Sequence, residues 1–466
     1  MTTTAPTRNG PSATGTAARL AALVEGALGV PLPVRLRAWD GSEAGPPDAP
    51  VVVVRSRRAL RRLLWQPGEL GLAQAYVTGE LDVEGDLGEG LRTMWRTTRA
   101  NRPALPGGSA GGRLRLAGSA LSLGAVGPRP APPASQARMR GRLHSRARDR
   151  AAISHHYDLS NDFYRLLLDE TMAYSCGYWT DTAEGTGAPD GVFGAADAQR
   201  AKLELICRKL DLTPGARLLD VGCGWGSLTL YAAEHRGAHV TAVTLAAEQA
   251  AHVREQVAAR GLGDRVEVLR ADYRDLADDG RGTYDAVATV EMGEHVGDAE
   301  YPAFAALLRD RVRPLGRVLV QQMSRGANAP GGGAFIEAYI APDMHMRPVG
   351  ETLGMLEGAG LEVRSVESLR EHYVRTVAAW HRTLEDRWDE FVRLVGEETA
   401  RVWRLYLVGG GLAFEEGRMG VDQILSVRPA ADGRVGLPPT PGPWYAAPLV
   451  PPAGAPGPRR GPESSS

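Results

Sequence analysis

An apolar run that ends in an acid and then breaks into spaced glycines, Leu218-Leu-Asp-Val-Gly-Cys-Gly-Trp-Gly226, is where this chain of 466 residues is best equipped for chemistry. Gly222, Gly224 and Gly226 accept positive φ and carry no Cβ, so a ligand can lie against the turn and meet the N-terminus of a following helix. The spacing is G-x-G-x-G, not the G-x-G-x-x-G of dinucleotide enzymes, and no lysine follows it as in a P-loop. That points to a nucleoside cofactor of the S-adenosylmethionine type. Glu294 lies just past another apolar stretch, where a buried carboxylate could stabilise a cation or take a proton. The cysteines, Cys176, Cys207 and Cys223, have neither disulfide nor metal-ligand spacing, and no base accompanies Cys176 in sequence. His155, His156 and His295 lack a second ligand cluster, so no metal is expected.

Positioning such a turn requires a strand before it and a helix after it. Strands are expected at Arg217 to Val221, His239 to Thr244, Val266 to Arg270, Tyr284 to Glu291 and Arg317 to Gln322, with amphipathic helices such as Leu228 to His235 and Ala247 to Arg260 between them. This alternation predicts an α/β fold with a doubly wound, Rossmann-like sheet, whose ligands sit at the carboxyl ends of the strands. Residues 1–16 read as disordered and 17–98 as a small N-terminal α+β domain. Residues 99–150 form a Pro/Gly/Arg linker, 151–428 the catalytic domain, and 429–466 a disordered Pro/Gly-rich tail.

Net charge is -1, which argues against nucleic acid as a partner, and no apolar run is long enough to span a bilayer. The linker is locally basic, with Arg113, Arg115, Arg129, Arg138, Arg140, Arg142, Arg146, Arg148 and Arg150 against Asp149 alone. Attraction to anionic lipid would add about 1 kcal/mol per basic residue near such a surface. Sparse cysteine suits a cytoplasmic protein, here expected at the inner face of the membrane. Only two lysines occur, Lys202 and Lys209, a bias read as genomic composition.

Several ordered motifs resemble the cyclopropane-fatty-acyl-phospholipid synthase family, which includes mycolate cyclopropane synthases and fatty-acyl methyltransferases of the tuberculostearic type. They are His156-Tyr-Asp-Leu-Ser-Asn-Asp-Phe-Tyr164, Tyr174-Ser-Cys-Gly-Tyr-Trp179, the glycine turn, Val243-Thr-Leu-Ala-Ala-Glu-Gln249, Asp272-Tyr-Arg-Asp-Leu276 and Glu294-His-Val-Gly297. The resemblance runs from about Ile153 to Val427, and more weakly through Gly79-Glu-Leu-Asp82. It implies a class I methyltransferase using S-adenosylmethionine, held by Tyr174, Ser175, Asp220, Gly222, Gly224, Thr244, Leu245, Gln249, Asp272 and Tyr273. It also implies that Glu294 helps bind a bicarbonate acting as base, together with the Cys176 backbone, position 321, Met323 and Tyr373. Gln321 departs from the family histidine: an amide can donate to an anion but does not titrate, which puts bicarbonate in question.

The implied substrate is the cis double bond of an unsaturated phospholipid acyl chain. Proton loss from the new methyl closes a cyclopropane; a hydride shift first leaves a methylene that a separate reductase would convert to a methyl branch. Gln321 tilts the expectation to the second. Phe335 to Ile340, Pro342, Met344, Met346 and Pro348, with Gly409 to Phe414, are expected to line the acyl tunnel. A homodimer fits this reading. The competing readings are a small-molecule methyltransferase, which would need neither the basic linker nor the Tyr-Ser-Cys segment, and a non-catalytic lipid-binding protein.

Overall fold

The structure, a computed structural model, describes residues 15–101, 118, 121–137, 139, 146, 148, 161–180, 193–277, 280–326 and 332–450. Two compact units divide the chain. One comprises Met1–Arg138, Gly333–Pro342 and Arg387–Leu412; the other comprises Met139–Gly332, Asp343–Asp386 and Ala413–Ser466.

The first unit carries helix α1 (Thr16–Leu28), strands β1 (Arg35–Arg37), β2 (Glu43–Ala44) and β3 (Val51–Val54), helices α2 (Arg57–Trp65) and α3 (Glu69–Val77), strand β4 (Leu81–Glu84) and helix α4 (Leu87–Asn101). Its four-stranded sheet has the order β2-β1-β3-β4. Leu20, Leu32, Val34, Leu36 and Val54 form the core beneath it. The Ser56 hydroxyl caps α2 by accepting from the Arg58 N–H at 3.1 Å, which fixes where the basic helix begins. Two later segments complete this unit. Arg401 is buried and donates to the carbonyls of Tyr76 at 2.7 Å and Leu81 at 3.1 Å.

In the second unit the expected strands appear as β5 (Arg217–Val221), β6 (His239–Thr244), β7 (Val266–Arg270), β8 (Tyr284–Val290) and β9 (Val312–Arg325). Two strands not anticipated, β10 (Glu362–Ser368) and β11 (Met419–Val427), extend the edge, giving seven strands in the order β10-β11-β9-β8-β5-β6-β7. β11 runs antiparallel to both β9 and β10, and the other pairs are parallel. The central strands are buried on both faces, which is why they read as continuous apolar runs. Successive residues serve opposite layers. Leu218 packs with Ile206, Val240 and Val253, whereas Leu219 packs with Val287, Phe304 and Leu308. Helices α5 (Asn161–Leu167), α6 (Ala195–Lys209), α7 (Ser227–His235), α8 (Ala247–Ala259), α9 (Tyr301–Arg311), α10 (Val349–Gly358) and α11 (Arg370–Asp386) belong to this unit. The strand order reverses between β5 and β8, so a crevice opens at their carboxyl ends.

The tail departs from expectation over 429–450. A short helix, α12 (Gly442–Tyr445), buries Trp444 against Leu205 and Leu425, and Arg208 donates to the carbonyls of Ala447 and Pro448. An aromatic anchor offsets the chain entropy that the Pro/Gly composition suggested would win. Most of the basic linker lies outside the described residues. Of its described arginines, Arg146 pairs with Asp275 at 2.6 Å and Arg148 with Asp343 at 2.6 Å.

Candidate active site

The glycine turn follows β5. φ is 82° at Gly222, 54° at Gly224 and 84° at Gly226. The N–H groups of Gly222 and Cys223 both donate to the Val243 carbonyl at 2.9 Å, which ties the turn to the end of β6. A Cβ at 222 would stand 2.8 Å from Met292 Cγ, so glycine there lets the neighbouring strand end close in. A Cβ at 224 would meet nothing within 4 Å, because that position faces an open cavity.

Tyr174, Ser175, Asp220, Gly222 and Gly224 line this cavity, as do Thr244, Leu245, Gln249 and Tyr273. Asp272 does not: its carboxylate is held by Arg274 at 2.7 and 2.8 Å and caps the short turn carrying Tyr273. The correction follows from the adjacent guanidinium, which takes the carboxylate as an ion pair. Asp220 is buried and accepts from the Thr229 hydroxyl at 2.7 Å; burial pushes its carboxyl up to about 6. The Thr244 hydroxyl donates to the Gln249 carbonyl oxygen at 2.7 Å, which orients the amide and leaves its two N–H donors for a ligand. Burial lowers His295, another wall residue, to about 4, so its ring is neutral. A Cβ-free floor, a neutral amide and flanking aromatic rings fit an adenosyl sulfonium.

At the far wall the structure corrects the carboxylate. Glu291, not Glu294, meets Cys176, Gln321 and Tyr373. Its Oε1 accepts from the Cys176 backbone N–H at 2.7 Å and from Gln321 Nε2 at 3.0 Å, and its Oε2 accepts from the Tyr373 hydroxyl at 2.6 Å. The Glu291 N–H donates to the Gln321 carbonyl at 2.6 Å. Glu291 has φ 52°, a left-handed conformation that a side-chain-bearing residue adopts at a cost of about 1–2 kcal/mol. The donors expected to cradle bicarbonate are thus already taken by a protein carboxylate, and bicarbonate does not fit among them.

Glu294 lies in the short turn Gly293–His295, buried; its Oε1 accepts from the Met323 N–H at 3.4 Å, and among the described residues its Oε2 has no partner. Burial raises both carboxyls, and the Glu291 charge drives Glu294 further, to about 8. Two close carboxylates cannot both ionise cheaply in a dry site. Three donors and the Lys202 charge pull the Glu291 carboxyl back against the rise that burial gives it, whereas Glu294 lacks such a set of donors.

Both lysines serve this region. Lys202, buried and lowered in pKa by that burial, donates to Ser175 Oγ at 2.6 Å and lines the cavity. Lys209 donates to Glu367 at 2.5 Å and to Gln423 Oε1 at 2.6 Å. Gln423, directly across the sheet from Gln321, then donates Nε2 to Gln321 Oε1 at 3.1 Å. A buried cation therefore fixes two amides in series so that Gln321 presents its N–H to Glu291. Neither lysine was singled out as functional from sequence. Glu291, as the last residue of an expected strand at a carboxyl end, did carry a legible signal.

Cys176 contributes its backbone. Burial and the Glu291 charge raise its thiol well above the ordinary value, and Sγ donates to the Leu369 carbonyl at 3.6 Å. Tyr174, Trp380, Tyr373 and Phe414 form an aromatic series with centroid separations of 5.3, 6.1 and 4.5 Å. Such faces favour a cation. His155 and His156 lie outside the described residues. The expected tunnel residues Phe335, Tyr339, Met344 and Met346 are buried but are not walls of the cofactor cavity.

A family model for mycolic acid cyclopropane synthetase matches residues 144–424. The chain belongs to this family. It is 37% identical over 427 residues to a probable fatty acid methyltransferase of Mycobacterium tuberculosis, covering 89% of this chain and 95% of that protein. It is 34% identical over 410 residues to a tuberculostearic acid methyltransferase of the same organism, covering 85% and 88%. A solved mycolic acid cyclopropane synthase complexed with SAH and CTAB superposes with TM-score 0.53 at 30% identity, covering 59% of this chain and 97% of that one. The protein is therefore an S-adenosylmethionine-dependent methyltransferase of class I fold that methylates or cyclopropanates fatty acyl chains.

Proposed function

We propose that this enzyme acts on the cis double bond of an unsaturated acyl chain in a membrane phospholipid and leaves an exocyclic methylene. The observation that carries this reading is the Glu291 carboxyl group, which lines the cofactor cavity with Tyr174 and is held by the Cys176 N–H and the Tyr373 hydroxyl. Transfer to a nitrogen or oxygen lone pair generates no carbocation and has no need of such a wall. S-adenosylmethionine supplies the electrophilic methyl when bound; the chain holds the alkene against it in a dry pocket, and alignment alone provides much of the rate. The Gln321 amide, which donates to Glu291 at 3.0 Å and does not titrate as an imidazole would, is the departure that favours the methylene product. A second reading, cyclopropane closure, is favoured by the family model.

Access to phospholipid is supported by the first unit. Leu64, Trp65 and Val126 are exposed beside the basic helix α2, and Trp65 Nε1 donates to the Gly127 carbonyl at 3.1 Å. An aromatic and aliphatic patch flanked by Arg57, Arg58 and Arg61 suits the anionic cytoplasmic face of a membrane. Trp65→Asp should weaken sedimentation with anionic vesicles about tenfold, against no change with zwitterionic ones.

The test of the reaction is incubation with S-adenosylmethionine and vesicles carrying monounsaturated chains, then proton NMR of the released acyl groups. Vinylidene protons support the methylene product. Upfield ring protons replace it with a cyclopropane, and unmodified lipid across several head groups overturns the acyl reading.

A further inference from the structure

We propose that Glu291 is the proton acceptor of this reaction, built into the chain at the place where a bicarbonate ion was expected, so that turnover is independent of bicarbonate. The inference rests on the acyl-chain reading above and names the base for it. Four observations converge on Glu291. Three hydrogen-bond donors from separate segments, the Cys176 N–H, the Gln321 amide and the Tyr373 hydroxyl, point at one carboxylate. Gln321 is itself locked by Gln423 and Lys209, so the cradle is preorganised for an anion. Glu291 is a wall of the cofactor cavity, whereas Glu294 is not. Finally, its left-handed φ of 52° is a conformation glycine adopts freely; a glutamate held there keeps a strained backbone in order to put its carboxylate at this spot.

The chemistry balances with this group alone. The alkene π pair forms the bond to the methyl carbon, the carbon-sulfur pair leaves with sulfur, and the positive charge passes to the neighbouring alkene carbon. Glu291 then removes one proton. If it comes from the new methyl directly, the freed pair closes the third ring bond; if a 1,2-hydride shift precedes it, the pair forms the exocyclic double bond. In either case Glu291 ends as the neutral acid and releases the proton to solvent before the next turnover, with no oxidant or reductant. Burial makes this carboxylate a stronger base than one in water, and the three donors temper that rise while fixing its place.

The experiment compares wild type, Glu291→Gln and Glu291→Gly in carbon-dioxide-purged buffer, with and without added bicarbonate or formate. Wild-type turnover should stay within about twofold on bicarbonate depletion, while Glu291→Gln should lose about 100-fold or more in kcat with S-adenosylhomocysteine affinity nearly unchanged. Glu291→Gly relieves the strain and empties the cradle, so added bicarbonate or formate should restore activity about tenfold or more. Carbon-13 bicarbonate should show saturation transfer from Glu291→Gly and none from wild type. Loss of wild-type turnover without bicarbonate, a bicarbonate signal on wild type, or Glu291→Gln turnover near wild type would each overturn the proposal. Absence of wild-type turnover on every acyl lipid strikes instead at the acyl reading. Retained S-adenosylhomocysteine binding excludes misfolding as the cause of a loss.

Discussion

Replacing Tyr373 by phenylalanine isolates one hydrogen bond to Glu291. The ring contacts with Phe414 at 4.5 Å and Trp380 at 6.1 Å survive in phenylalanine, so packing changes little. What disappears is a hydroxyl donating at 2.6 Å to a buried carboxylate, a charge-assisted bond worth about 1.5–3 kcal/mol. That bond favours the ionised form and holds the Glu291 carboxyl down against the upward push of burial. Removing it moves the carboxyl upward, by about 1–2 pH units at 1.36 kcal/mol per unit. Because the ionised form is the base, the acid limb of the kcat/KM profile should shift to higher pH by the same amount. Below that limb, activity should fall about 10- to 100-fold; above it, most should return, since the remaining carboxylate is more basic. The assay is methyl incorporation into monounsaturated lipid across a pH series, with S-adenosylhomocysteine affinity as the control. A uniform loss at every pH, or an unshifted limb, would refute the reasoning that Tyr373 acts through the ionisation of Glu291.

Gly222→Ala should weaken S-adenosylhomocysteine binding about tenfold and lower the melting temperature, because a left-handed alanine costs about 1 kcal/mol and its Cβ meets Met292 at 2.8 Å. Gly224→Ala, whose Cβ faces only the cavity, should weaken binding with a smaller stability loss, as calorimetry would show. Glu294, raised in the fold from 4.5 to about 8, contributes stability that is fully present below about pH 4.5 and is lost as pH rises through about 8. Urea unfolding of Glu294→Gln should therefore show a flatter pH dependence than wild type over that range. Lys209→Met removes the cation from Glu367 and Gln423 and should cost about 3 kcal/mol in urea unfolding. It should also lower kcat more than it changes the KM for S-adenosylmethionine, since Gln321 loses its anchor. Adding Glu367→Gln should recover part of the stability.

What the sequence determined by itself was everything with a local period or a backbone demand. Parallel strands buried on both faces read as largely apolar runs, so β5 and β6 were legible to the residue, and the edge strand β7 was legible from its short Val-Glu-Val-Leu pattern. The turn needed positive φ at Gly222, Gly224 and Gly226, and only glycine supplies that without strain. Motif order carried the cofactor and the acyl chemistry. Tertiary structure decided the rest. β10 and β11 are polar and mixed in pattern, and become strands only because the edge of β9 offers a ladder. Trp444 orders a Pro/Gly-rich segment through one buried ring. Glu291 and Glu294 are acids three residues apart, and the position of Glu291 at a strand end does not by itself assign their roles. The choice fell to which side chain meets donors from Cys176, Gln321 and Tyr373, residues up to 115 positions distant in the chain. A charge is placed in a dry interior by the hydrogen bonds that converge on it, and convergence of distant segments is a property of the folded chain alone.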